Sequence, residues 1–409
     1  MKLTFLGGAG EVGRSGVLID QGYRLLMDYG IKLHDKTTQY PLRVKGGLDA
    51  VIITHSHLDH CGFLPAIYDH YACPWFGTYP TQILTDLLIR DSIKIQKKVP
   101  FRVSSFKRST KHFTPMEYGA EYETEGMSFT LHNAGHITGS SMVEVKTGET
   151  SLLYTGDFKL KDIRMQKGAD VPKCDILVTE TTYSQREHPP RDELEKRLSQ
   201  HIRDTLENGG NVLLPSFAIG RSQELLQILY NTNRDATVYL DGMAKTACEL
   251  VRQCPSFVSN FNEYEKALNW VQWVDSREKR ADALKSPSVI ITTAGMLEGG
   301  PVFQYLLNLN KRSRIVLTGY CVDNTNGWHL MNEGFVYVNG RPKKIDTPLE
   351  YLDFSAHAGR SEIFELVDLV DPKKIFCVHG DHTAYFADEL KQRGYDAYAP
   401  KIGEEIVVV

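Results

Sequence analysis

The sequence predicts an α/β protein, and three patterns carry that prediction. Short apolar runs bounded by Gly, Asp and His fill residues 1–183, strand and helix alternate through 184–355, and helix, strand, helix and strand close the chain over 356–409. In order, LTFL, GVLID, YRLLMD, AVIITH, SFTLHNA, SMVEV, TSLLYTG and DILVTE read as strands, because β-branched and large apolar residues cluster or alternate in each. RDELEKRLSQHIRDTLENGG reads as an amphipathic helix leading into NVLLPSF, a buried strand. RSQELLQILYNT follows as a helix and TVYLDG as a strand, which predicts a parallel sheet belonging to the middle section. RSEIFELVDLV and TAYFADELKQRG read as helices around the apolar strand KIFCVHG, and EEIVVV ends the chain as a strand. No internal repeat or low-complexity linker separates the sections. The organisation expected is therefore 1–183 and 356–409 as two parts of one domain, with 184–355 inserted between them.

Composition narrows the function classes. The chain has 409 residues, 42% apolar and 24% charged, enough for more than one core and typical of a globular protein. MKLTFLGGAGEVG has too short an apolar run for a signal peptide, and no later stretch is long enough to cross a bilayer. A cytoplasmic location and no membrane partner are expected. The seven cysteines are scattered and never spaced C-x-x-C, which fits reduced, buried thiols better than a disulfide frame or thiolate zinc site. With a formal net charge of −4, any contact with a polyanion must come from a local patch. For EEIVVV an inner strand and a homodimer contact are both open.

GAGEVG at 8–13 matches the dinucleotide-loop spacing G-x-G-x-x-G, but that loop needs a helix after its glycines. RSGVLIDQGYRLLMD alternates and carries a DQG turn, as a β-hairpin does, so no nicotinamide or flavin site is expected. THSHLDHCG is far more specific. It puts His55, His57, Asp59 and His60 at the end of a buried strand. Positions 55, 57 and 59 share one side if the chain stays extended, and a turn into a helix over FLPAIYDHY would swing His60 beside Asp59, offering ligands to two neighbouring ions. Imidazole and carboxylate without thiolate favour zinc, with manganese or iron as alternatives. His136 in NAGHITGSS and Asp157 in YTGDF lie just past predicted strands, each beside a glycine, and extend the set.

These stretches, with Asp28 in LLMDYG, resemble the metallo-β-lactamase superfamily, whose αββα fold packs two β-sheets between outer helices. VTETTYSQREH with Glu180, DFSAHAGR with His357 and CVHGD with His379 resemble motifs A, B and C of the β-CASP nucleases. PSFAIGRSQELL, YLDGMA and ITTAGMLEGGP resemble that family's inserted α/β domain. The resemblance spans essentially the whole chain. It points to archaeal and bacterial relatives of the cleavage and polyadenylation specificity factor endonuclease subunit, in a short form without a KH-like region.

The resemblance implies two zinc ions, one held by His55, His57 and His136, the other by Asp59, His60 and His379, with Asp157 bridging. Asp28 is implied as the carboxylate behind the ligands, accepting an imidazole N–H. Such a pair of ions activates a water and clamps a phosphodiester for in-line attack by hydroxide. His357, held by Glu180, is implied as the acid for the leaving 3′-oxygen, leaving a 5′-phosphate and a 3′-hydroxyl. His357, Glu180, Asp28 and Asp59 are thus the expected catalytic side chains. A His at motif C goes with RNA-cleaving members, so RNA is the expected partner.

Candidate RNA contacts are Lys97, Lys98 and Arg102 in the basic stretch 90–111, where eight Lys or Arg accompany one Asp and Phe101 and Phe106 could stack on bases. A solvated basic helix and hairpin is the plain alternative. Arg221, and Gly295, Met296, Gly299 and Gly300 in TTAGMLEGGP, are candidates in the insertion, where backbone amides could hold a phosphate. TGYCVDNTNGWHL departs from the family's usual pattern, leaving the cleft shape open there. The expected activity is mainly endonucleolytic, in RNA 3′-end processing or decay. The alternatives are a 5′ to 3′ exoribonuclease of the RNase J kind and a non-nuclease hydrolase of the metallo-β-lactamase type. His382, three residues after His379, reads as standing behind the ligands or as neutral, and the remaining histidines, among them His188 and His329, read as surface or packing residues.

Overall fold

The computed structural model describes residues 1–34, 37–96 and 99–408. Two compact units emerge from it: one comprises 1–162, 166–187 and 356–409, the other 163–165 and 188–355.

The first unit is built on two mixed seven-stranded sheets. In the first, Glu405–Val407, Lys2–Gly7, Gly16–Gln21 and Tyr23–Met27 run antiparallel, and Ala50–Ile52, Trp75–Gly77 and Phe113–Pro115 continue in parallel. The second orders Glu121–Thr124, Met127–Asn133, Ser141–Thr147 and Thr150–Tyr154 antiparallel, then Ile176–Glu180, Lys374–Val378 and Ala397–Tyr398 in parallel. EEIVVV thus supplies an edge strand. GAGEVG opens onto a hairpin in which Gln21 pairs with Tyr23 across Gly22, and no helix follows it.

Alternation puts one face of every strand inward. Leu3, Phe5, Ile19, Leu25 and Ile52 from the first sheet meet Phe129, Val143, Leu152, Val178 and Phe376 from the second in one buried layer. The ring of Phe5 lies 5.6 Å from that of Phe376, and that of Phe76 5.1 Å from that of Phe129, so the sheets are joined through aromatic contacts. The outer face of the first sheet is covered by Phe63, Leu64 and Ile67. The outer face of the second is covered by the helices Arg360–Val370 and Thr383–Gln392, through Ile363, Leu366, Phe386 and Leu390. This is the αββα arrangement expected.

The second unit carries six parallel strands in the order Gln272–Trp273, Val238–Asp241, Val289–Thr292, Val212–Pro215, Arg314–Leu317 and Leu349–Tyr351. Its apolar runs are buried on both faces, as parallel strands require.

Phe376→Ala removes a wholly buried ring from the layer between the sheets and is expected to cost about 3–5 kcal/mol. A denaturant titration checks it, and a loss under about 1 kcal/mol would mean the sheets are not joined through this contact.

Candidate metal centre

In the first unit, strand direction decides where the chemistry gathers. Tyr23–Met27, Ala50–Ile52, Met127–Asn133, Thr150–Tyr154 and Lys374–Val378 deliver Asp28, His55, His136, Asp157 and His379 from the loops just past their carboxyl ends, and Glu180 closes its own strand. Crevices at the carboxyl ends of strands are where α/β sheets bind ligands.

The chain stays extended only as far as His57. Leu58–Cys61 is already a helical turn, with the His60 and Cys61 amides bonded to the His57 carbonyl. Asp59 therefore leaves the side shared by His55 and His57, contrary to the extended expectation, and joins His60. Backbone bonds from Ser15, Tyr29 and Ile31 to the carbonyls of Asp59, His60 and Leu58 dock this turn. The approach is close enough that a Cβ on Gly30 would sit 1.7 Å from the Asp59 oxygen. Gly156, at φ +52°, lets the chain before Asp157 run past Thr54, whose Oγ1 a Cβ there would meet at 2.8 Å.

Three groups of ligand-type side chains result: His55, His57, His136 and Asp157; Asp59, His60, Asp157 and His379; and Asp157, Glu180 and His357. Asp157 belongs to all three. Its Oδ2 lies 3.5 Å from His55 Nε2 and 3.8 Å from His136 Nε2, and its Oδ1 lies 3.2 Å from His60 Nε2 and 3.3 Å from His379 Nδ1. His379 Nε2 lies 3.3 Å from Asp59 Oδ2.

The imidazoles are oriented from behind. His55 Nδ1 lies 3.1 Å from the Thr54 hydroxyl, His136 Nδ1 3.0 Å from the Ala356 carbonyl, and His60 Nδ1 2.7 Å from Asp28 Oδ2. Asp28 also accepts the Thr54 amide at 2.8 Å and the Tyr154 hydroxyl at 3.1 Å. Such partners fix the ring and turn its other nitrogen to the centre.

Those central atoms are buried without hydrogen bonds: Nε2 of His55, His60 and His379 and both oxygens of Asp157. His136 Nε2 and His57 Nδ1 face each other at 3.1 Å. Buried polar atoms left unsatisfied are costly. Burial, then the neighbouring His60, lowers the pKa of His55 well below 6.5, and burial does the same to His136. Both are thus neutral, the form that binds a cation. Burial raises the Asp157 pKa, but His60, His379 and His357 together hold it well below the usual carboxylate range. Neutral His55 and His136, the ionised Asp157 and orphaned atoms aimed at common points fit two divalent cations sharing Asp157.

His357 stands at the edge of this set, its Nδ1 3.0 Å from Glu180 Oε2 and 3.8 Å from Asp157 Oδ2. Burial lowers its pKa, but Glu180 and then Asp157 outweigh this and raise it to about 9. Glu180 is held in turn by the Phe158 amide at 2.8 Å and the Thr182 hydroxyl at 2.5 Å. One pair was invisible in the sequence. Buried Lys159 donates to the His357 carbonyl at 2.9 Å and to Glu362 at 2.7 Å, and Glu362 also accepts the amides of Leu160 and Lys161, each at 3.1 Å. The loop bearing His357 is thereby clamped to the loop bearing Asp157. The glycine loop finds its role here too, for the Gly8 and Glu11 carbonyls accept the amides of His379 and Gly380.

The candidate RNA contacts are placed less uniformly. Lys97 and Lys98 lie outside the described residues. Arg102 is exposed before the helix Val103–Lys111, so the described part of the basic stretch is the end of one helix and the whole of a second, not a helix and hairpin. Phe106 is buried under Arg90, and Phe101 packs against the core, so neither is presented for stacking on bases. In the second unit Arg221 is buried and ion-paired with Glu224 at 2.5 Å. Gly295 packs against the backbone of Phe217, and Gly299 and Gly300 both adopt positive φ in the same loop as Met296. His188 is half-buried, 3.1 Å from Asp353, and His382 is exposed.

Comparison with known proteins adds three family matches: the metallo-beta-lactamase superfamily over residues 18–188, the Beta-Casp domain over 222–330, and a Zn-dependent metallo-hydrolase RNA specificity domain over 344–400. The chain is 35% identical to "Probable RNase MJ4" of Methanocaldococcus jannaschii, covering 99% of this chain and 100% of that protein. It is 34% identical to "RNase aCSPSF2" of Saccharolobus solfataricus over 99% of this chain and 85% of that one. "Transcription termination factor FttA" of Methanocaldococcus jannaschii is 34% identical, over 96% of this chain and 69% of its own length. A crystal structure of a protein of unknown function from Enterococcus faecalis shares the fold at TM-score 0.68 and 16% identity, covering 100% of this chain and 99% of that chain.

Asp28→Asn keeps the shape but removes the charge behind His60, and a loss of about 10–100-fold in metal affinity is expected. Metal retained after dialysis against a graded chelator reads it, and unchanged affinity would remove Asp28 from that role. Stripping the metal from the unaltered protein should also lower Tm, because a ligand of the folded state alone stabilises that state.

Proposed function

The chain belongs to the β-CASP branch of the metallo-β-lactamase superfamily, and on that premise we propose that it is a di-zinc ribonuclease, mainly endonucleolytic, acting in RNA 3′-end processing or decay. The observation that carries this reading is the pair of ligand groups meeting at Asp157 with His357 and Glu180 beside them. Its near full-length relatives named as RNases support RNA as the substrate. Imidazole and carboxylate donors without thiolate support zinc.

His55, His57 and His136 would hold one ion, Asp59, His60 and His379 the other, and Asp157 both. Two such ions supply a nucleophile from water near neutral pH and neutralise the phosphodiester under attack. The chain's own residues do the rest. Glu180 takes His357 Nδ1, so the opposite ring nitrogen is the one to protonate the leaving 3′-oxygen. With its pKa raised to about 9, His357 carries that proton at neutral pH and loses it as the pH rises through that value. Products are a 5′-phosphate and a 3′-hydroxyl. The loop from Gly295 to Gly300 is proposed to meet the RNA backbone, whereas Arg221 is engaged with Glu224.

His357→Ala should lower kcat by about 10²–10⁴-fold. Zinc content should stay unchanged and the alkaline limb of the rate profile should flatten, and a large loss of zinc would assign His357 to the ligands instead. RNA labelled at its 5′ end or internally, bearing a 5′-monophosphate or triphosphate, should give internal fragments from both forms. Mononucleotides released only from the monophosphate would establish the 5′ to 3′ exonuclease in its place.

A further inference from the structure

We infer that the basic face formed by the helices Tyr79–Ile95 and Val103–Lys111 is an exosite for single-stranded RNA, holding the strand several nucleotides from the bond that is cut. The inference rests on the RNA reading above and adds where, beyond the metal centre, that RNA is held.

The second helix turns Ser105, Phe106 and Ser109 inward and leaves Lys107, Arg108 and Lys111 exposed on the opposite side. Arg90 lies across the Phe106 ring at 5.0 Å, on the inward side of the second helix, and so brings the far end of the first helix, where Lys94 is exposed, beside it. Arg102 completes the patch. Among the described residues, Lys94, Lys107 and Lys111 have no carboxylate partner, and the acids beside them are Asp86, 3.6 Å from Arg90, Asp91, and Asp69, which accepts the Arg102 amide and the Ser105 hydroxyl. The chain as a whole has a net charge of −4, so this concentration of cations is local. Cations without partners on an ordered face are what a phosphate backbone recognises. Ile95 and Val103 are the exposed apolar side chains beside them, too little to seat the patch in a lipid surface.

The first helix also fixes the distance. The hydroxyls of Thr78 and Thr81, at its start, donate to the Gly139 carbonyl at 2.7 and 3.0 Å, in the loop that carries His136. At 1.5 Å per residue, Arg90 and Lys94 lie roughly 18 and 24 Å along the axis from Thr78. At about 3.4 Å per stacked nucleotide, that separation corresponds to roughly five to seven phosphates. A stacked strand shorter than this does not span both places.

The test uses the full-length, zinc-loaded protein and its Lys94→Gln, Lys107→Gln, Lys111→Gln triple variant. Fluorescence anisotropy, in a His357→Ala background, measures affinity for RNAs of about 4 and about 20 nucleotides across a salt series. For the longer RNA the triple variant should bind about tenfold more weakly, and its salt slope should be shallower by about 2, at about 0.7 for each phosphate no longer neutralised. Affinity for the short RNA should be unchanged, as should hydrolysis of bis(p-nitrophenyl) phosphate in the background with His357 intact. Equal affinity of both proteins for the long RNA, or equal losses on short and long RNA, would overturn the exosite. Binding to phosphatidylserine vesicles that the triple variant loses, with RNA affinity intact, would assign the face to membranes and also overturn it. A parent protein that hydrolyses the small diester but binds RNA of neither length would sink the RNA reading, and the exosite with it.

Discussion

Asp157 is a buried carboxylate whose two oxygens face different sets of imidazoles, and the architecture of the first unit follows from satisfying it. An ionised carboxylate deep in protein is tolerated only when positive charge compensates it. Here Oδ2 looks toward His55 and His136 and Oδ1 toward His60 and His379, so that charge has to stand at two points. Every element bearing one of these histidines must therefore end at the same edge. The parallel halves of both sheets achieve this for His55, His60, Asp157 and His379, because parallel strands share the end at which they stop, and Met127–Asn133, two antiparallel pairings from Thr150–Tyr154, runs the same way and delivers His136.

Holding so many polar loops together carries a conformational cost, and the layer between the sheets offsets it. Asp28 and His379 both adopt left-handed backbone, with φ of 57° and 46°, which costs of order 1–3 kcal/mol apiece. Fully buried rings such as Phe5, Phe129 and Phe376 contribute about 1.5–3 kcal/mol each. Backbone bonds then lock the strained residues: the Asp28 amide to the Ile52 carbonyl, and the His379 amide to the Gly8 carbonyl. The Lys159–Glu362 pair extends the same logic to the loop of His357, since a charged pair with further hydrogen bonds can bear burial where an isolated ion cannot.

What the sequence made legible was local. The helices Arg191–Glu207, Arg221–Thr232, Arg360–Val370 and Thr383–Gln392 occupy the stretches where apolar periodicity put them. THSHLDHCG announced ligand-type chemistry because its residue types are rare together at a strand end. Illegible were the features decided by partners far away in the chain. The turn at Leu58 forms because the loop after Tyr23–Met27 supplies backbone donors to it, which no local pattern encodes. Phe106 looked available for stacking because its burial depends on Arg90 and the helix before it. Lys159 and Glu362 are 203 positions apart and each reads as an ordinary surface charge.

The glycine loop that first suggested a nucleotide site instead secures one of the last groups of the centre to be made. His379 is tied through its backbone to Gly8, so the two ends of the chain meet in one pocket. A chain interrupted before residue 379 carries neither the complete second cluster nor the hydrogen bond that closes the glycine loop. Gly8 and His379 therefore hold one another in place, so a substitution that shifts the glycine loop also shifts an imidazole of the second cluster.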